Sequence, residues 1–229
     1  MACLTLDTYR MTQTTFPTDI DPRPAFAEVA KVATSIIEAV RADQLDLPTP
    51  AAMTVIELLG HLVMVGRRVA CAARGDDPST WPDDLPSSWD GSAVDFRDGR
   101  WVQAWTVACD EALGAWGDDN LLARETALPW AVTSGAEALA VYVNELLVHA
   151  WDLARATGGK PSWSESTIDI ADKAIRAQLP MADRSPMWEQ AKQYMPAGLA
   201  WEDPFANAVD VGPTASSVDQ LVAWNGRQP

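Results

Sequence analysis

Apolar residues return every three or four positions in four separate stretches of this chain, and nowhere does a convincing two-residue alternation appear. A helix repeats every 3.6 residues and a strand every two, so the pattern confines the chain to packed helices. The first stretch follows Asp21-Pro22-Arg23-Pro24, a capped entry with proline in the first turn, and carries Phe26, Val29, Val32, Ile36 and Val40 over about 23–43. The second opens at Thr54, whose capping-box partner is Glu57, and presents Val55, Leu58, Leu59, Leu62, Val65 and Val69 up to Arg74 and Gly75. The third, about 100–116, places Trp101, Trp105, Ala108, Cys109, Ala112 and Leu113 on one side. The fourth, about 135–157, begins with a second capping box, Ser134 and Glu137, and stops at Gly158-Gly159. A weaker helix fits 164–178, and short helical pieces fit 186–194 and 216–225.

Four apolar faces joined by one short and two long connections are most economically buried as a four-helix bundle. The fold class expected is therefore all-α. Residues 1–20 form a poorly ordered extension, 21–160 the bundle, and 161–229 a short helical extension packed on it. With 229 residues the chain supports no more than two domains.

Charge removes whole classes of partner. Thirty-two acidic residues against 17 basic leave a net charge of −15, a field that repels phosphate backbones and anionic lipid heads, so neither nucleic acid nor membrane is expected. Cys3, Cys71 and Cys109 lack any Cys-x-x-Cys spacing, which argues against a disulfide scaffold and a thiolate-only zinc site. No run of about 18 apolar residues and no basic-then-apolar leader occurs, and the chain is expected to be cytoplasmic. The 75–98 connection holds seven aspartates against Arg97. Its acids match no calcium-loop spacing and read as a solvated face. Its two tryptophans, with four more up to Trp130, are either core anchors or an aromatic wall over a site with this loop as lid. A lid of that charge favours a neutral or cationic substrate.

Only two histidines exist. His61 lies on the core face of the second helix, with Glu57 one turn before it. His149 follows Glu145 by four residues on the fourth helix, and Asp152 falls within a wedge of about 60° of both at about 100° per residue. Two readings are open from the residues alone. Each imidazole is a hydrogen-bonded core histidine, with a carboxylate paired to a neighbour such as Arg155; or two imidazoles and a buried carboxylate converge from facing helices on a divalent metal. Two histidines, one glutamate and a vacant fourth position form a known open zinc arrangement.

The stretches LPTPAAMTVIELLGHLV and NELLVHAWDLARATG, with the tail DQLVAWNGRQP, resemble the actinobacterial DinB-like metal-binding proteins related to the N-terminal domain of mycothiol-dependent maleylpyruvate isomerase. The likeness covers the chain from about residue 20, and Met11 offers an alternative start. It implies a DinB-like four-helix bundle in which His61, Glu145 and His149 hold a divalent metal, zinc. Asp152 matches no ligand position and is assigned a supporting or helix-capping role with Arg155 as partner. Relatives carry a cysteine and a tryptophan just before the first metal helix, whereas this chain has Ala51-Ala52-Met53 there. The separate C-terminal domain of the isomerase is replaced by a shorter tail.

The function implied is a metal-dependent enzyme. It activates mycothiol, another low-molecular-weight thiol, or water, for transfer or isomerisation on a small apolar or aromatic electrophile. Glu57 and Asp152 are the candidate catalytic carboxylates for proton transfer. The other class is a non-catalytic small-molecule-binding protein with a structural metal. The chain is read as a monomer or homodimer.

Overall fold

A proline in the first turn fixes the backbone for helix entry, and Arg23 forks onto Asp21 with hydrogen bonds of 2.7 to 3.1 Å, so helix α1 starts at Arg23 and runs to Glu38. The computed structural model describes residues 16–17, 19–82, 99–192 and 205–229. The first ten residues and most of the aspartate-rich connection, the expected lid, lie outside the described residues. Helix α1 ends five residues before the expected 43, because Arg41 turns extended and opens a 3-10 turn at Ala42–Gln44. The buried Gln44 side chain then donates to the Thr157 carbonyl, pinning this corner to a distant helix end.

Helix α2 (Val55–Arg74) carries the expected capping box, with Glu57 Oε2 accepting from Thr54 N and Oγ1, both at 2.7 Å. It stops at Gly75, whose φ of +76° is the left-handed cap conformation. Arg124 Nη2 satisfies two last-turn carbonyls, Ala72 at 2.9 Å and Ala73 at 2.8 Å. Helix α3 spans Trp101–Ala115 and the single-turn α4 spans Asn120–Ala123. On α3 the expected apolar side is buried except at Leu113, which is exposed.

The stretch read as irregular contains a small antiparallel hairpin, β1 (Glu125–Ala127) with β2 (Val132–Ser134), in the register Thr126 to Thr133. Its second strand feeds directly into α5 (Gly135–Thr157), capped by the Ser134 hydroxyl at one end and by Gly158 in the left-handed conformation at the other. Gly135 is where backbone meets backbone: a Cβ there would stand 1.9 Å from the Leu121 carbonyl oxygen. Gly135→Ala is therefore expected to destabilise the chain by about 1–3 kcal/mol through forced displacement of α4. A thermal midpoint equal to the parent's would show that the approach is not constrained.

Helices α6 (Glu165–Gln178), α7 (Ser185–Lys192) and α8 (Ser217–Trp224) complete the chain. The architecture is mostly helical, an all-α fold with one short hairpin. Helix α1 packs on α3 and α5, and α2 also packs on α3 and α5, so the four long helices close a ring. Helix α6 lies against α5 and α1, and α8 against α6. At the α1–α6 contact Glu28 accepts hydrogen bonds from Ser164 N, Ser164 Oγ and Thr167 Oγ1, each 2.6 Å. The core centres on α2 and α5, where Leu58, Leu62, Leu139, Leu146 and Leu147 are fully buried. Each contributes roughly 1.5–3 kcal/mol of burial, which makes these two helices a stiff mounting for anything they carry. No helix among the described residues is long and apolar enough to cross a membrane.

Candidate metal centre

Because α2 and α5 pack against each other, their polar interruptions meet. His61 projects from α2 between the buried Leu58, Leu62 and Val65, and Glu145 and His149 project from α5 one turn apart. The imidazoles stand edge to face with centroids 4.7 Å apart at 79°. One donor atom from each of His61, Glu145 and His149 lies within 4.8 Å of the other two, the one such acid, thiol and imidazole group of three among the described residues. All three side chains are half-buried.

The separation of His61 Nε2 from Glu145 Oε1 is 3.4 Å. Two donors each about 2.0–2.1 Å from a common tetrahedral centre stand about 3.3–3.4 Å apart, so this spacing is compatible with a shared ion. His61 Nε2 is a buried nitrogen without a hydrogen-bond partner among the described residues. A buried nitrogen without a hydrogen bond, set against a carboxylate and a second imidazole, fits a divalent cation, and the three residues can hold one. Burial alone pushes the Glu145 carboxyl up, but His61 beside it, with His149 and the Arg68 guanidinium nearby, outweighs this and holds it below its ordinary value. It is thus poised as an anionic ligand.

His149 is oriented from behind. Its Nδ1 lies 3.1 Å from Asp152 Oδ2. That carboxylate also accepts from Arg227, which makes it an acceptor towards the ring as well, so the ring hydrogen sits on Nδ1 and Nε2 is left as the donor for a metal. Asp152 is fully buried. Its partner is Arg227, not the expected Arg155, whose guanidinium lies over the Trp151 ring at 5.4 Å. The helix-cap role is likewise corrected, since the cap is Gly158.

Glu57 does not join the cluster. It is exposed, held in the α2 cap, and the hydrogen bonds from Thr54 keep its carboxyl below the ordinary range, which makes it a weak base. It is a cap rather than a proton carrier. The tryptophans described between 81 and 116 are buried anchors: Trp81 donates to Asp76 O, Trp105 to Thr34 Oγ1 and Trp116 to Val69 O. Trp130 is exposed and bonded to Gln178. Trp89 lies outside the described residues.

One residue beside the centre had escaped the sequence reading. Tyr142, one turn before Glu145 on α5, is buried, and its hydroxyl has no hydrogen-bond partner among the described residues. Burial pushes this phenol far above its ordinary value and the Glu145 charge adds to the rise, with Arg68 opposing. Tyr142 therefore stays a neutral donor. A tyrosine three residues from a core glutamate was the available signal. Cys71 and Cys109 are buried free thiols, and burial pushes Cys109 up to about 11, so neither is a nucleophile.

The chain is similar to two uncharacterized proteins of Mycobacterium tuberculosis, from strains CDC 1551 and H37Rv, each 29% identical over 141 residues, which is 61% of this chain and 69% of theirs. No family profile and no solved structure matches it.

Proposed function

We propose that the ring of α1, α2, α3 and α5 is a DinB-like four-helix bundle and that the chain is a cytoplasmic, metal-dependent enzyme using a low-molecular-weight thiol such as mycothiol against a small electrophile. The observation that carries the proposal is the ligand count. Structural zinc sites close with four protein ligands, whereas three leave a coordination position for chemistry, and among the described residues His61, Glu145 and His149 are three. Zinc suits two imidazoles and a carboxylate in a tetrahedral spacing. A divalent ion held there supplies a Lewis acid that acidifies a thiol or a water in the open position.

The chain's own residues do the rest. Glu145 would set one negative charge against an ion's two positive ones, and Arg227 neutralises Asp152, so a loaded centre would keep net positive charge and favour an anionic sulfur. His149 is held in the ligating tautomer by Asp152 and is not available as a general base. Neither described cysteine supplies the thiol, because burial keeps Cys71 and Cys109 protonated, and an external thiol is the proposed source. With an epoxide as electrophile, a sulfur–carbon bond forms, the ring carbon–oxygen bond breaks, and the thiol's proton ends on the oxygen.

The test is turnover of a thiol with a panel of epoxides and activated aromatic electrophiles by zinc-loaded protein. Product formation that a chelator abolishes and zinc restores is expected. Quenching of tryptophan fluorescence by the panel without any product would overturn the enzyme reading and leave a small-molecule-binding protein with a structural metal.

A further inference from the structure

The last residues of the chain reach back to the centre at two points. Arg227 lays its guanidinium along Asp152, with Nε 3.1 Å from Oδ1 and 3.3 Å from Oδ2, and Nη2 3.0 Å from Oδ2. Two residues earlier, Asn225 and Asn144 exchange side-chain amide hydrogen bonds of 3.1 and 3.0 Å in a buried pair. Asn144 precedes the ligand Glu145, and Asp152 orients the ligand His149. Before these grips Leu221 and Val222 are fully buried, and Arg227 Nη1 donates to Asn225 O at 3.0 Å, so the turn after α8 is itself braced.

We propose that the C-terminal segment is a positioning device for the metal centre, with Arg227 and Asp152 as positioning residues acting on His149. The inference rests on the metal reading and adds to it that affinity is set from the tail. Asp152 is fully buried, and a buried carboxylate needs a paired cation. On its own helix the nearest candidate, Arg155, lies on Trp151. The cation comes instead from the tail, and its planar fork fixes both carboxylate oxygens, which a point charge would not. With Oδ2 fixed, the imidazole has one rotamer and one tautomer in which Nδ1–H is satisfied, and Nε2 faces Glu145 and His61. Remove Arg227 and the carboxylate loses that anchor, so the imidazole samples other orientations and the ligand set is less preorganised. By linkage, a metal that needs the fixed imidazole also tightens the docking of the tail.

The experiment uses the full-length protein, with cobalt(II) and zinc titrated against a competing chelator for the parent, Arg227→Ala, Arg227→Lys, Asp152→Ala and the Arg227→Ala, Asp152→Ala double variant. Losing such an outer partner costs about 10–100-fold in metal affinity, and a loss in this range is expected for Arg227→Ala. In the Asp152→Ala background the further loss from Arg227→Ala should vanish, since Arg227 acts through Asp152. The visible spectrum of the cobalt protein should shift in Arg227→Ala, and Arg227→Lys should recover affinity only in part. In the parent, metal should slow amide exchange over residues 217–229, which needs no variant to fold. Parent-like affinity and spectrum in Arg227→Ala, or metal binding without any change in tail exchange, would overturn the positioning role while leaving the metal centre standing. A parent chain that binds neither metal overturns both.

Discussion

Alanine at His61 or at His149 is expected to abolish stoichiometric zinc binding, from about one ion per chain to none, with the helices intact. Two remaining protein donors do not hold a tetrahedral ion against a competing chelator. The two variants should differ in the metal-free state. Removing His61 takes away the packing of a half-buried side chain and the imidazole that stands 3.4 Å from the Glu145 carboxylate, but no hydrogen bond among the described residues. Removing His149 takes a hydrogen bond from the buried Asp152, so His149→Ala should be the less stable of the two. Zinc at about one hundred times its dissociation constant raises the stability of the parent by about 2.7 kcal/mol, and both variants should lose that gain entirely. Elemental analysis after desalting and thermal unfolding with and without zinc check the two halves. Unchanged stoichiometry in both variants would sink the metal reading.

The His61, Glu145 and His149 cluster was legible in the sequence because its three residues lie on helices whose limits are set by local chemistry. Thr54 with Glu57 and Ser134 with Glu137 announce where α2 and α5 begin, and Gly75 and Gly158 where they end. Once the helices are placed, the four-residue spacing of Glu145 and His149 and the apolar neighbours of His61 put all three on inward faces. Helix periodicity does not say where a buried carboxylate finds its cation. Asp152 has Arg155 one turn away, yet the guanidinium it uses is 75 positions further along, and only the folded tail brings it there.

Other departures have similarly physical causes. Strands of three residues are too short to display an alternation, so the hairpin between α4 and α5 left no trace in the pattern. The apolar rhythm of α1 continues to Val40 because Val40 is indeed buried, but it reaches the core from the connection after the helix rather than from a further turn. Glu57 shows the converse error. Its position one turn before His61 suggested chemistry, while the residue type at that offset from Thr54 is what a helix cap requires.

Replacing Arg184 by alanine is expected to loosen the C-terminal segment, which keeps its other anchors, at a cost of about 3 kcal/mol or more. Arg184 is fully buried, and burial lowers the pKa of its guanidinium. Its Nη1 donates to Ala206 O and its Nη2 to Trp224 O, so one side chain ties the start of α7 to both ends of the tail, while the backbone N–H, which donates to Asn207 Oδ1 at 2.7 Å, is kept in the variant. Hydrogen bonds from a charged donor are worth about 1.5–3 kcal/mol each, and the buried charge they offset disappears with them, which keeps the net loss below their sum. Arg184→Met retains most of the volume but none of the donors, so it should lose somewhat less, the difference being the cavity. Trp224 is held independently, by its Nε1 on Leu179 O at 3.1 Å and by Arg176 stacked 4.0 Å over its ring. The loss should therefore be local: amide protection falls over 205–229 while α2, α3 and α5 keep theirs. Equal loss of protection in α5 would show that tail and helices unfold as one unit. With a separable tail, Arg184→Ala should also weaken metal binding without touching any residue of the centre, because Arg227 lies three residues beyond Trp224.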